Sequence, residues 1–361
     1  MISKQGKGVA PTVLTDGDHA FWQEHGYLVV PDVVPLELCV AARADIINYL
    51  GLDPAASMED YYEKVLAGDR SGFVNLNQSQ ALWDTRQHPR LHQVFAEIHG
   101  TEKLWCSIDQ AHMKLPYRES TAADGTVHTW GNGGAYFGPD DPRNNGSGLH
   151  WDVHGGGMQD EETVARKQRG EPTGGLWAGV GLPSMLEYGD GYPCGPQGVL
   201  YLNDREADGG GFRCVPGFHR CFDEWLKTVP KDRSLEQEDD GHWIATHPEL
   251  EGLFAEAQTI PAKAGSLVIW HRLIPHGNGR NHSATTRFAQ YITMGPAPTD
   301  PEQLEQQRAK NIEVWQKRGE RWRAPLSADE REARWQRWEQ RTPPARLTDL
   351  GKRLVGLVPW E

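Results

Sequence analysis

The chain has 361 residues, enough for one large catalytic domain or two medium ones. Its 50 acidic side chains against 37 lysines and arginines give a formal net charge of −13, which argues against a broad basic face for nucleic acid and leaves a small-molecule partner as the expectation. No apolar run reaches the roughly 18 residues that read as a membrane span. The five cysteines, Cys39, Cys106, Cys194, Cys214 and Cys221, are scattered without a CxxC pair and point to free thiols in a reducing, cytoplasmic setting.

In chain order, Thr15-Asp-Gly-Asp18 opens a helix with a capping-box acid, and Gly26 closes it. Tyr27-Leu-Val-Val30 reads as a strand. Pro35 suits a first helical position, and Leu38, Ala41, Ala42, Ile46 and Leu50 keep an apolar stripe until Gly51. Residues 55–67 and 89–99 give two more helical patterns, the second carrying Leu91, Val94, Phe95 and Ile98 on one face and ending at Gly100. From Leu104 the character changes to short β-rich runs between Gly, Pro and Asn turns, at 104–113, 148–153, 198–203, 211–215, 266–270 and 287–294. The pattern predicts a mainly β fold with helices first and a double-sheet barrel, a sandwich or jelly roll, after them.

Two stretches stand apart. Residues 155–197 are Gly-rich at both ends with a charged middle; they read as an active-site lid or as a surface loop with a helix of its own. Residues 300–340 read as two helices bearing Trp315, Trp322, Trp335 and Trp338, which pack either on the same domain or on a second copy to make a homodimer. The expected division is 1–299 as one catalytic domain and 300–361 as a helical C-terminal extension on it.

The chemistry is concentrated in two places. In an extended strand alternate side chains share a face, so His150 and Asp152 point one way and Trp151 the other. Far downstream, the strand-like Gly265-Ser-Leu-Val-Ile-Trp270 leads into Pro275-His276-Gly-Asn278, and Arg287 opens the next β-rich run. Two imidazoles and one carboxylate on one side of a ferrous ion leave positions open for an oxidant and a chelating keto acid. An arginine is the residue that grips the far carboxylate of such an acid through two parallel hydrogen bonds, which lysine cannot do. Asp152 also fills the coordination position that Gly or Ala would leave for halide, so oxygen insertion is expected over halogenation. With fifteen histidines in the chain, a His-x-Asp pair alone is weak; the Asn144-Asn-Gly-Ser-Gly148 entry turn and the downstream strand-turn-strand raise it. His271, five residues before His276, is the alternative distal ligand. His154 shares strand parity with His150 and reads as substrate-facing, as does Trp151, although strand aromatics such as Trp151 and Tyr201 are as often plain core. His219 reads as structural.

These residues resemble a known family. Phe21-Trp-Gln-Glu-His-Gly-Tyr-Leu-Val-Val-Pro31, His150-Trp-Asp152, Gly209-Gly-Gly-Phe-Arg-Cys-Val-Pro-Gly-Phe-His-Arg220 and the Gly265-to-Arg287 segment stand in the order of the phytanoyl-CoA dioxygenase (PhyH-like) family of iron(II)- and 2-oxoglutarate-dependent oxygenases. The resemblance implies a double-stranded β-helix (jelly-roll, cupin-like) core with N-terminal helices. It implies His150, Asp152 and His276 as iron ligands and Arg287 on the distal carboxylate of 2-oxoglutarate. Asn278 stands where the family often has a serine on the same carboxylate, Tyr201 aligns with an aromatic beside the co-substrate, and Lys114 aligns with a basic residue on an early strand. The chain departs from the family at Phe218, where a serine is typical, and in the 155–197 and 300–361 stretches. The implied reaction consumes O2 and 2-oxoglutarate, releases succinate and CO2, and hydroxylates a small metabolite or natural-product intermediate. Desaturation, ring closure or epimerisation at the same iron, and a zinc hydrolase using the same ligands, are the other readings.

Overall fold

The computed structural model describes residues 12–65, 72–131, 149, 196–222, 224–225, 255–317 and 336–360. Its first helix, α1 (Asp16–His25), starts at Thr15, whose hydroxyl accepts from the Asp18 amide while the Asp18 carboxylate accepts from the Thr15 amide. It stops at Gly26 in the left-handed conformation, as the sequence pattern predicts. Strand β1 (Tyr27–Val30) follows, then α2 (Leu36–Leu50), with Pro35 one position earlier than expected, at the cap. Helices α3 (Met58–Lys64), α4 (Gln80–Arg86) and α5 (Pro89–His99) flank the short strand β2 (Phe73–Val74).

The 104–113 run is two strands, β3 (Leu104–Cys106) and β4 (Ala111–Lys114). Between them the backbone turns toward α4: the Ile108 carbonyl accepts from the Asn77 amide and the Asp109 carbonyl from the Arg86 guanidinium. These side chains replace a ladder partner, so the strand breaks. A polar hairpin, β5 (Arg118–Thr121) and β6 (Val127–Trp130), comes next. Then come β7 (Gln197–Tyr201), β8 (Phe212–Cys214), β9 (Gln258–Thr259), β10 (Leu267–Trp270), β11 (His276–Asn278) and β12 (Arg287–Pro296). The 148–153 run lies outside the described residues, apart from Leu149, which is buried.

Strands order as β1-β10-β7-β12-β4-β2 in a seven-stranded antiparallel sheet, with β3 also paired to β12; β11-β8-β9 form a second, three-stranded antiparallel sheet. Alternation along the strands divides the large sheet into two apolar faces. Leu28, Val30, Leu200, Leu267, Ile269, Phe288 and Ile292 face one way and share a core with Ile46 of α2, Leu82 of α4 and Phe95 of α5. Val199, Tyr201, Val268, Trp270 and Ala289 face the other way and share a core with Phe212 and Cys214 of the small sheet. One sheet therefore serves two cores, helices on one side and the second sheet on the other.

The C-terminal stretch includes α6 (Pro301–Gln316), a helical run at 336–341, and α7 (Asp349–Leu354). Trp315 meets Trp83 edge-on, Trp338 meets Tyr49 edge-on, and Trp360 stacks on His92 while its indole N–H donates to the Leu104 carbonyl at 2.9 Å. Trp322 and Trp335 lie outside the described residues. Cys39, Cys106 and Cys214 are buried free thiols and Cys221 an exposed one; burial pushes Cys106 and Cys214 up to about 12. Among the described residues no helix is long and apolar enough to cross a membrane.

His271 turns to α1 rather than to a metal position. Its ring lies 5.1 Å from that of His219 and 6.2 Å from that of Trp22, and its Nδ1 accepts from the Leu273 amide. Burial, with the His219 and Arg272 charges adding to it, lowers its pKa from 6.5 to about 4.

Two outcomes follow from this packing. Trp338→Ala removes a fully buried indole from the helical core and is expected to cost about 3–5 kcal/mol of unfolding free energy in a denaturant titration; an unchanged midpoint would show that the C-terminal segment does not hold that core. Below pH 6.5 the unfolded chain takes up a proton at residue 271 that the folded chain resists down to about pH 4. Stability is therefore expected to fall as pH drops across that window, by on the order of 3 kcal/mol from this histidine. His271→Asn should flatten that slope, and an equal slope in the variant would assign it elsewhere.

Candidate metal and co-substrate site

The sheet register collects the polar residues. Arg287, Ala289 and Tyr291 alternate onto one face of β12. Lys114 stands directly opposite Arg287 and His112 opposite Ala289 on β4, while Tyr201 stands opposite Ala289 on β7. Cross-strand partners share a face, so Lys114, His112, Arg287, Tyr201 and Tyr291 all point toward the small sheet. From that sheet, His276 and Asn278 of β11 pair with Cys214 and Phe212 of β8 and point back. The site lies between the two sheets.

His276 is buried, with its ring 5.0 Å from Trp270 and 6.1 Å from Phe212. Its Nδ1 lies 3.0 Å from the Ile274 carbonyl. A carbonyl can only accept, so Nδ1 carries the proton, and in the neutral ring the lone pair is on Nε2. That is the tautomer a metal ligand requires, and the backbone contact also fixes the ring plane. Two residues on, the Asn278 amide donates to the Tyr291 hydroxyl at 2.8 Å and ties the small sheet to the large one across the site.

Arg287 has no solvent exposure. Its Nη1 donates to His112 Nδ1 at 3.1 Å, and the guanidinium carbon sits 5.5 Å from the centre of the Tyr201 ring. Nε and Nη2 are buried and have no hydrogen-bond partner among the described residues. A buried cation with two unsatisfied donors on one edge is costly unless an anion completes it. Lys114, also buried, donates to the Gly279 carbonyl at 3.1 Å. Two cations opposite one another in the register make this wall of the site strongly anion-seeking.

Tyr201 closes the floor. Its hydroxyl accepts from the Phe212 amide at 2.7 Å and donates to the Ile260 carbonyl at 3.4 Å. Burial pushes its pKa up, opposed in part by the nearby Arg287 charge. The Gly209-Gly-Gly211 run makes this arrangement fit. A Cβ on Gly211 would lie 2.7 Å from the Tyr201 oxygen, and one on Gly210, at φ 71°, would lie 2.8 Å from the Asn281 Cβ. Asn281 in turn donates to the carbonyls of Lys114 and Thr285, pinning the turn that delivers Arg287.

Of the residues singled out in the sequence, the structure brings His276, Asn278, Tyr201, Arg287 and Lys114 into one place. His150, Trp151, Asp152 and His154 lie outside the described residues, as does nearly all of 155–197. His112, Tyr291 and Phe212 belong to the site but are not singled out by the sequence patterns. Parity was the available signal for His112: in Ala111-His-Met-Lys114 it shares a face with Lys114.

Part of this chain is similar to known proteins. Residues 191–289, the stretch holding Tyr201, His276, Asn278 and Arg287, match the family model described as Phytanoyl-CoA dioxygenase (PhyH). A Dictyostelium discoideum protein named "Putative phytanoyl-CoA dioxygenase" is 35% identical over 104 residues, which are 28% of this chain and 28% of that protein. Among solved structures, GIG2 (DUF1479) of Candida albicans overlays with a TM-score of 0.57 at 15% identity, covering 96% of this chain and 77% of that one. The hypothetical protein JW0805 of Escherichia coli overlays with a TM-score of 0.55 at 16% identity, covering 95% and 81%. The likeness to these structures is one of fold. Residues 191–289 thus match the model of the phytanoyl-CoA dioxygenase (PhyH) family, the family whose motifs the chain resembles.

Proposed function

We propose that the protein is an iron(II)- and 2-oxoglutarate-dependent oxygenase that oxidises a small molecule, with hydroxylation as its outcome. The observation that carries this reading is the buried edge of Arg287, whose Nε and Nη2 lack partners among the described residues, on the face of β12 turned toward the small sheet that carries His276. That edge matches a carboxylate, and a zinc hydrolase has no use for it. In this reading the two sheets are the halves of a double-stranded β-helix, 1–299 is the catalytic domain and 300–361 an extension on it.

The donor set fits the implied metal. His276 has its lone pair on Nε2 by virtue of the Ile274 contact, and His150 and Asp152 complete a two-histidine, one-carboxylate set in the proposal. Iron(II) held there supplies, with dioxygen and 2-oxoglutarate, the oxidative decarboxylation to succinate and CO2 that drives substrate oxidation.

The chain's own residues do the positioning. Arg287 takes the distal carboxylate, and its fixed charge costs no reorganisation when the anion arrives. Lys114 across the register adds a second positive charge to that end. Tyr201, Phe212 and Trp270 line the space with apolar surface and keep water from the keto acid. Asn278 holds the Tyr291 hydroxyl and, through it, the spacing between β11 and β12. Trp151 and His154 are assigned to the substrate side.

Titrating 2-oxoglutarate anaerobically into the Fe(II)-loaded protein is expected to produce a visible metal-to-ligand charge-transfer band; its absence would remove the proposal. Arg287→Lys should weaken 2-oxoglutarate by roughly tenfold or more, because lysine cannot match two carboxylate oxygens, and leave Fe(II) affinity nearly unchanged. Equal losses in both would make Arg287 a structural residue. Asp152→Ala should abolish succinate formation, and continued succinate release would mean Asp152 is not a ligand.

A further inference from the structure

Arg287 has a neighbour outside the proposed metal and co-substrate ligands, His112. His112 lies on β4, fully buried, with its ring packed against both Phe73 (5.3 Å, edge-on) and Tyr291 (5.8 Å, edge-on), which also meet each other at 5.3 Å. On a further side it meets the backbone at Gly72, where a Cβ would come within 2.8 Å of its Cε1. Confined in this way, the ring has little room to rotate. Its Nδ1 is 3.1 Å from Arg287 Nη1. Guanidinium nitrogens can only donate, so Nδ1 accepts and the proton of the neutral ring is on Nε2.

A guanidinium can bind a carboxylate through its two terminal nitrogens or side-on through Nε and one terminal nitrogen. The His112 contact occupies Nη1, while Nε and Nη2 are the two nitrogens without partners among the described residues. We propose that His112 is the positioning residue of this site: by holding Nη1 it commits Arg287 to side-on recognition of the distal carboxylate of a keto-diacid through Nε and Nη2. This rests on the function proposed above and adds to it which edge is used and what selects it. His112 touches neither metal nor keto acid in this reading; it acts through Arg287.

The distinguishing property of such a residue is that it matters only to acids with a far carboxylate. The experiment measures anaerobic affinity of the Fe(II)-loaded protein for 2-oxoglutarate and for 2-oxobutyrate, which has the chelating end but no distal carboxylate. Fe(II) affinity is measured beside them. His112→Phe, which keeps a ring but loses the acceptor, is expected to weaken 2-oxoglutarate by roughly tenfold or more, the size of a lost hydrogen bond to a charged group. It should leave 2-oxobutyrate and Fe(II) within about threefold, a margin below one such bond. His112→Asn, whose amide oxygen restores an acceptor near the Nδ1 position, should recover most of the 2-oxoglutarate affinity. In an Arg287→Lys background His112→Phe should add nothing further.

Equal weakening of both acids, or unchanged 2-oxoglutarate affinity in His112→Phe, would overturn the inference while the oxygenase reading stands. Should Phe at 112 fail to fold, the Asn variant and the Arg287→Lys, His112→Asn double variant decide it by the same two-acid comparison. Wild-type protein that binds neither acid would overturn the function and this inference together.

Discussion

A positive charge with nowhere to go organises this protein. Arg287 is taken wholly out of water, and among the described residues the contacts around it are an imidazole nitrogen and a tyrosine ring, neither of which is a full counter-charge. Moving an ionised group into the interior costs several kcal/mol even after relaxation, and a chain does not carry that cost at the centre of its main sheet without return. The return is affinity for an anion that reaches the same space. Everything nearby is arranged to keep the guanidinium there: the Asn281-pinned turn that delivers it, the tyrosine beneath it and the histidine at its side. His276 and Arg287 come from different sheets, so the space they line is defined by how those sheets meet.

Much of this was legible in local sequence because local rules govern it. Thr15 with Asp18 forms its capping box, and the glycines at 26, 51 and 100 each end a helix in the left-handed conformation, as chain-local chemistry dictates. His276 and Arg287 stand out because a strand, a turn and a strand lie within a short span, and antiparallel pairing does the rest. Helix α4 was not legible: polar Thr85 and Arg86 are buried beside Ala81, Leu82 and Trp83, so its seven residues carry no clean apolar stripe. Nor was the β5–β6 hairpin, whose Arg-Glu-Ser-Thr strand has no apolar alternation and is held by pairing and by contacts of Arg118 and Trp130 with Glu59 and Tyr62 of α3.

His112 shows the deeper limit. Nothing between residues 112 and 287 of the linear chain links them, and Ala-His-Met-Lys reads as an ordinary core strand. Only the antiparallel register of β4 with β12 brings the two side chains onto one face. The C-terminal tryptophans present the opposite case. Their spacing announces buried aromatic faces, but it does not say on what they rest; Trp83, Tyr49 and His92, on α4, α2 and α5, are the surfaces that receive Trp315, Trp338 and Trp360.

Strand β12 belongs to two interiors at once. Phe288 and Ile292 look toward the helices, while Arg287, Ala289 and Tyr291 look toward the opposing sheet. A side-chain change among the helices presses on one row of that strand, and a pleated ribbon one residue thick has no slack to absorb the push. Substitutions on the helical flank should therefore be felt at Arg287 on the opposite row, and a map of such variants would trace the outline of this one strand.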